Sequence, residues 1–85
     1  MHMSKGIFTP EQEKLLMLLR QVRSEAGLRQ SDLAEYLQRS QSFVSKYEKG
    51  EIQLDLLELR QICQAVGISL QEFVKKYESL LDEKE

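Results

Sequence analysis

Only three residues, Gln38, Arg39 and Ser40, separate two short stretches whose apolar residues recur at helical spacing. The first runs from about Gln30 to Leu37, with Leu33, Ala34 and Leu37 on one face. The second runs from about Gln41 to Lys49, with Val44 and Tyr47 on one face. So brief a link forces the two helices into a sharp crossing. Ala34 suits such a crossing because a small side chain lets two helices approach closely. Ser40 is placed to cap the second helix by accepting from a free backbone amide.

The helical period continues almost everywhere else, and glycines stand where helices have to stop. A first helix begins at Thr9-Pro10-Glu11-Gln12, where Thr9 is the cap, Pro10 loses nothing by lacking an amide hydrogen, and Gln12 can reach back. Leu15, Leu16, Leu18, Leu19 and Val22 form its apolar side, Gly27 ends it, and Arg20 and Arg23 lie near the negative end of its dipole. A fourth helix opens on Asp55 and Glu58 in capping-box spacing, turns Leu56, Leu59, Ile62, Cys63 and Val66 inward, and closes at Gly67. A fifth repeats the device with Ser69 and Glu72 and carries Leu70, Phe73, Val74, Tyr77, Leu80 and Leu81 on one stripe. Two readings of that stripe stand: its first half completes the core, or Tyr77, Leu80 and Leu81 overrun the core and meet a second subunit. The expectation is an all-α fold with a helix-turn-helix in the second and third helices. One domain should span residues 9–81, between a disordered segment 1–8 and a charged tail 82–85. Met1-His2-Met3 reads as an expression-vector scar.

Eighty-five residues with 41% hydrophobic content allow one modest core, and leave no room for a separate effector domain. The longest apolar run, Leu15 to Leu19, is far short of the roughly 20 residues a membrane helix needs. With no secretory-signal pattern either, a cytoplasmic location is expected. The single cysteine cannot form an internal disulfide, and with one histidine, His2, there is no zinc set. Cys63 reads as a small core residue, since nothing basic stands beside it to favour a thiolate. No nucleophile–base pairing and no phosphate-binding glycine loop occurs, so no cofactor and no enzymatic activity is expected.

Net charge is −2, but it is unevenly spread. Residues 1–50 hold eight Lys/Arg against six Asp/Glu, and residues 51–85 hold four against eight. A mildly basic front and an acidic rear follow, a difference also common on solvated helices.

The most informative stretch is the amino-terminal turn of the third helix, dense in Ser and Gln. Such residues bury little area, yet Gln41 offers a donor and an acceptor together, the pair needed for adenine N6 and N7 in the major groove. Ser42, Ser45 and Lys46 lie on the same outward side, opposite Val44 and Tyr47. Lys46 can donate to guanine O6 or N7, or to a phosphate. Arg29, Arg39 and Lys49 cluster around the two helices, which favours joint phosphate contact over three unrelated surface charges. Phe43 has two readings, at the groove edge against a thymine methyl or packed sideways on the protein.

The order Gln30, Leu33-Ala34, Ser40-Gln41-Ser42, Val44-Ser45-Lys46, Glu48, Gly50, Ala65-Val66-Gly67 and Ser69 resembles the lambda-repressor and Cro family of domains, also called XRE-type. The resemblance covers roughly residues 12–74 and implies a five-helix lambda-repressor-like DNA-binding fold. It implies base-reading roles for Gln41, Ser42 and Lys46, and a phosphate anchor at Gln30 that also braces Gln41. It implies a structural Glu48, read here as ion-paired to a nearby arginine. Arg29 stands where the family usually has Thr or Ser, so the second helix lacks its customary cap. Ile52-Gln53 stands where close relatives often carry basic residues, and Ile52 reads as an exposed apolar contact for a dimer or partner.

A transcriptional repressor binding a palindromic operator of double-stranded DNA as a homodimer is therefore expected. The alternative is a protein-interaction module such as the antitoxin of a toxin–antitoxin pair, favoured by the acidic second half and by Ile52.

Overall fold

Five helices follow one another in the computed structural model, which describes residues 9–82. They are α1 (Pro10–Glu25), α2 (Gln30–Leu37), α3 (Gln41–Glu48), α4 (Leu56–Val66) and α5 (Leu70–Asp82). No strand occurs among the described residues. The expected disordered segment 1–8, its vector scar and residues 83–85 of the tail lie outside them, while Asp82 closes α5.

Local chemistry accounts for most of the boundaries. Thr9 Oγ1 accepts from the Gln12 amide at 3.1 Å, and Pro10 opens the helix; only this half of the expected reciprocal pair forms. Ser40 Oγ accepts from the Phe43 amide at 3.1 Å and starts α3. At α4 both halves of the capping box form: Asp55 Oδ1 accepts from the Glu58 amide at 2.7 Å, and Glu58 Oε1 accepts from the Asp55 amide at 3.0 Å. Arg29 has no acceptor to cap α2, so Asp32 alone reaches back, accepting from the Arg29 amide at 2.9 Å. The three-residue link turns through Gln38, whose φ of 58° is left-handed, and this single reversal sends α3 across α2.

The core gathers side chains from every helix. Leu16, Leu18, Leu19 and Val22 come from α1, Leu33 and Ala34 from α2, Phe43, Val44 and Tyr47 from α3, Ile62 and Cys63 from α4, and Phe73 from α5. Burying each large apolar side chain contributes about 1.5–3 kcal/mol, which is what holds three helices of eight to eleven residues that would be marginal alone.

Two expectations are corrected. Leu56 does not turn inward but is 69% exposed. Helical side chains lean toward the amino terminus, so at the first position of α4 Leu56 reaches past the edge of the core, and Leu54 just before the helix packs there instead. Ile52 is not an exposed apolar contact; it is half-buried and packed against the core.

On α5, Leu70, Tyr77 and Leu80 pack against the core, whereas Val74 is exposed. Tyr77 Oη donates to the Glu11 carbonyl at 3.0 Å and Lys14 Nζ donates to the Leu80 carbonyl at 2.8 Å, which lashes α5 to α1. Leu81 is half-buried and stands outside that packing.

Candidate nucleic-acid interface

The eight residues of α3 divide cleanly between inside and outside. Phe43, Val44, Tyr47 and Glu48 are buried; Gln41, Ser42 and Lys46 are exposed, and Ser45 is half-buried beside them. Gln41 and Ser45, and likewise Ser42 and Lys46, are four residues apart and so stack one above the other. The helix is about 12 Å long at 1.5 Å per residue, a length that fits along a major groove about 12 Å wide.

What fixes α3 so that this strip faces outward is a buried carboxylate at its carboxyl-terminal end. Glu48 is 2% exposed and accepts from Arg23 Nε at 2.7 Å, Arg23 Nη2 at 3.1 Å and Gln30 Nε2 at 3.0 Å. Arg23 also donates to the Leu28 carbonyl at 2.9 Å, and Arg20 Nη1 donates to the Glu48 carbonyl at 3.0 Å. One residue thus ties α1, α2 and α3 together through charge-assisted bonds, and the hydrogen bonds to Glu48 raise the Arg23 pKa further. The expected ion pair of Glu48 with an arginine is this one.

Gln30 differs from expectation in one respect. Its amide nitrogen is held by Glu48 and does not brace Gln41, because a buried carboxylate is a stronger acceptor than a neutral amide. Phe43 takes the second of its two readings: it is buried edge-on to Tyr47, with ring centroids 5.4 Å apart, and the Arg39 guanidinium covers its face at 3.8 Å. Nothing in the spacing separated that stack from a groove contact.

A helix-turn-helix domain model matches residues 15–74 of this chain. Among solved structures, the chain is 40% identical to the XRE-family like protein from Pseudomonas syringae pv. tomato str. DC3000, over 82% of this chain and 85% of that one, with a TM-score of 0.76. The chain belongs to the XRE-type helix-turn-helix family.

The clp gene regulator ClgR from Corynebacterium glutamicum shares 25% identity with this XRE-type chain, over 88% and 96% of the two lengths, with a TM-score of 0.73. The restriction-modification controller protein C.Esp1396I, in a structure of its tetramer with its natural 35 base-pair operator, has the same fold at 20% identity, covering 89% and 100%, with a TM-score of 0.78. No match was found among curated proteins. As an XRE-type domain the chain is a DNA-binding transcriptional regulator.

The cations of this XRE-type domain fall into two sets. Arg29 clasps Asp32 with guanidinium contacts of 3.0 Å, and Arg39 Nη1 reaches Glu58 Oε2 at 3.3 Å. Lys46 and Lys49 are exposed, and neither makes an ion pair among the described residues. Burial pushes the Cys63 thiol up, which disfavours a reactive thiolate and suits its place in the core. Among the described residues no cluster could hold a metal, and no helix is long and apolar enough to cross a membrane.

Proposed function

We propose that the protein is a cytoplasmic repressor that binds a palindromic operator as a homodimer. Gln41, Ser42, Ser45 and Lys46 read base edges, while Gln30, Lys49, Arg29 and Arg39 contact phosphates. The observation that carries this reading is the exposed polar strip on α3, a helix that the buried Glu48 ties to α1 and α2. A single helix of eight residues spans few base pairs, so useful discrimination calls for two copies about one helical turn, or roughly 34 Å, apart. Repression requires only occupancy. The stripe end formed by Tyr77, Leu80 and Leu81 supplies the contact between subunits, with Leu81 the member that the chain's own core leaves out.

Selection of bound duplexes from a random pool tests this directly. A symmetric motif with half-sites one turn apart is expected. No enrichment would sink the DNA reading, and a lone unsymmetric half-site would sink the homodimer.

A second reading, a protein-interaction module such as an antitoxin, is favoured by Leu56 and Leu57, which are 69% and 62% exposed at the start of α4. Salt separates the two, since binding through about five or six phosphates weakens steeply as salt rises and an apolar protein contact does not.

A further inference from the structure

The wall of α1 facing α3 is the part of the surface that the sequence reading left without a role. Glu13, Met17 and Arg20 of α1 share a groove of about 580 Å³ with Gln30, Ser45 and Lys49. The last three are already proposed to touch DNA, so this groove continues the polar strip sideways onto the first helix.

We propose that Arg20 and Lys49 together grip the sugar–phosphate strand of duplex DNA flanking the groove that α3 enters, with Arg20 a further phosphate ligand. The inference rests on the DNA-binding reading above. The state of the cations is its first support. Arg23, Arg29 and Arg39 each spend their guanidinium on a carboxylate, whereas Arg20 and Lys49 have no ion-pair partner among the described residues. Arg20 is exposed, and its recorded bond uses Nη1 alone, on the Glu48 carbonyl at 3.0 Å. That bond anchors the side chain at the end of α3 and leaves its other nitrogens to donate. A pre-positioned guanidinium gives up less side-chain freedom on meeting a phosphate.

Placement is the second support. Arg20 and Lys49 both lie at the carboxyl-terminal end of α3, where the helix dipole by itself repels an anion, so these two charges are what makes that end receptive. Met17, 42% exposed in the same groove, gives an apolar surface suited to deoxyribose, which favours a nucleic-acid strand over a free phosphate ion. Two carboxylates also line the groove: Glu13, which is exposed and opposes an anion there, and Glu48, which is buried and paired with Arg23.

The test is the salt dependence of binding, using duplexes selected with the full chain. Arg20→Gln should weaken binding to every duplex alike and lower the log–log salt slope by about 0.9. Between about 50 and 200 mM salt, the unaltered protein should then lose roughly 3-fold more affinity than the variant. Arg20→Lys should keep the slope, and Arg60→Gln on α4 should change neither quantity. Because Arg20 also bonds to α3, circular dichroism and thermal melting of each variant separate a loss of fold from a loss of contact. A folded Arg20→Gln protein with an unchanged slope overturns the inference while leaving the DNA reading intact. If the unaltered chain selects no duplex, both fall together.

Discussion

Tyr47 combines complete burial with a phenol oxygen that has no hydrogen-bond partner among the described residues. Burial first, and then the neighbouring Glu48 charge, pushes its ionisation well above the ordinary phenol range. A buried hydroxyl left unpaired costs about 1–3 kcal/mol, so Tyr47→Phe, which keeps the ring against Phe43, should raise stability by about 1 kcal/mol in urea denaturation. A drop of that size would mean the hydroxyl has a partner after all. On the outer face, Gln41→Ala should cost about 1–3 kcal/mol on the preferred duplex and erase preference at one base pair. Equal losses on all duplexes would remove Gln41 from base reading. The two residues are six positions apart on one helix, and their opposite roles come from which side each faces.

Among the elements, α2 is held at its start by an unusual arrangement. Its first carboxylate, Asp32, bonds both the guanidinium and the amide of Arg29, and these contacts hold its pKa down from 3.8 to about 2. A carboxylate whose pKa is lowered by folding stabilises the protein above its unfolded value, and that contribution disappears as pH falls through the folded one. The melting-temperature gap between the unaltered chain and Asp32→Asn should therefore be full at pH 7 and shrink from about pH 4 toward pH 2. A gap that does not change with pH would show that the carboxylate charge contributes nothing to α2. The pairing also bears on DNA contact, because Arg29 can meet a phosphate only by sharing or leaving Asp32, and Arg39 is similarly engaged by Glu58. Lys46 and Lys49 face no such competition.

At the scale of the whole molecule, the helices form a body of 36 × 28 × 21 Å in which α5 packs on α1 and α4 while α2 and α3 carry the polar strip. Tyr77 and Leu80 are engaged with α1, so altering either would disturb the fold as well as any assembly. Leu81 is the cleaner probe. Leu81→Glu should convert a dimer to a monomer in sedimentation while the helical circular-dichroism signal persists, because Leu81 stands outside the chain's own core. An unchanged sedimentation coefficient would take α5 out of the subunit contact. Net charge of the whole chain is −2, so attraction to DNA depends on where the cations lie and not on the total.

Periodicity, caps and stop signals determined the five helices, their order and the sharp α2–α3 turn, because each depends on neighbours within about four residues. The same local rules put Val44 and Tyr47 inside and Gln41, Ser42 and Lys46 outside. Arg29 meets Asp32 only three residues on, but tertiary structure alone engaged the other two arginines, since Arg23 finds Glu48 from 25 residues away and Arg39 finds Glu58 from 19. It also decided that Leu56 is exposed and Ile52 covered, because a helical wheel records direction around an axis but not where the core ends along it. Contacts between residues distant in sequence depend on how whole helices stack, and no window of the chain contains that information.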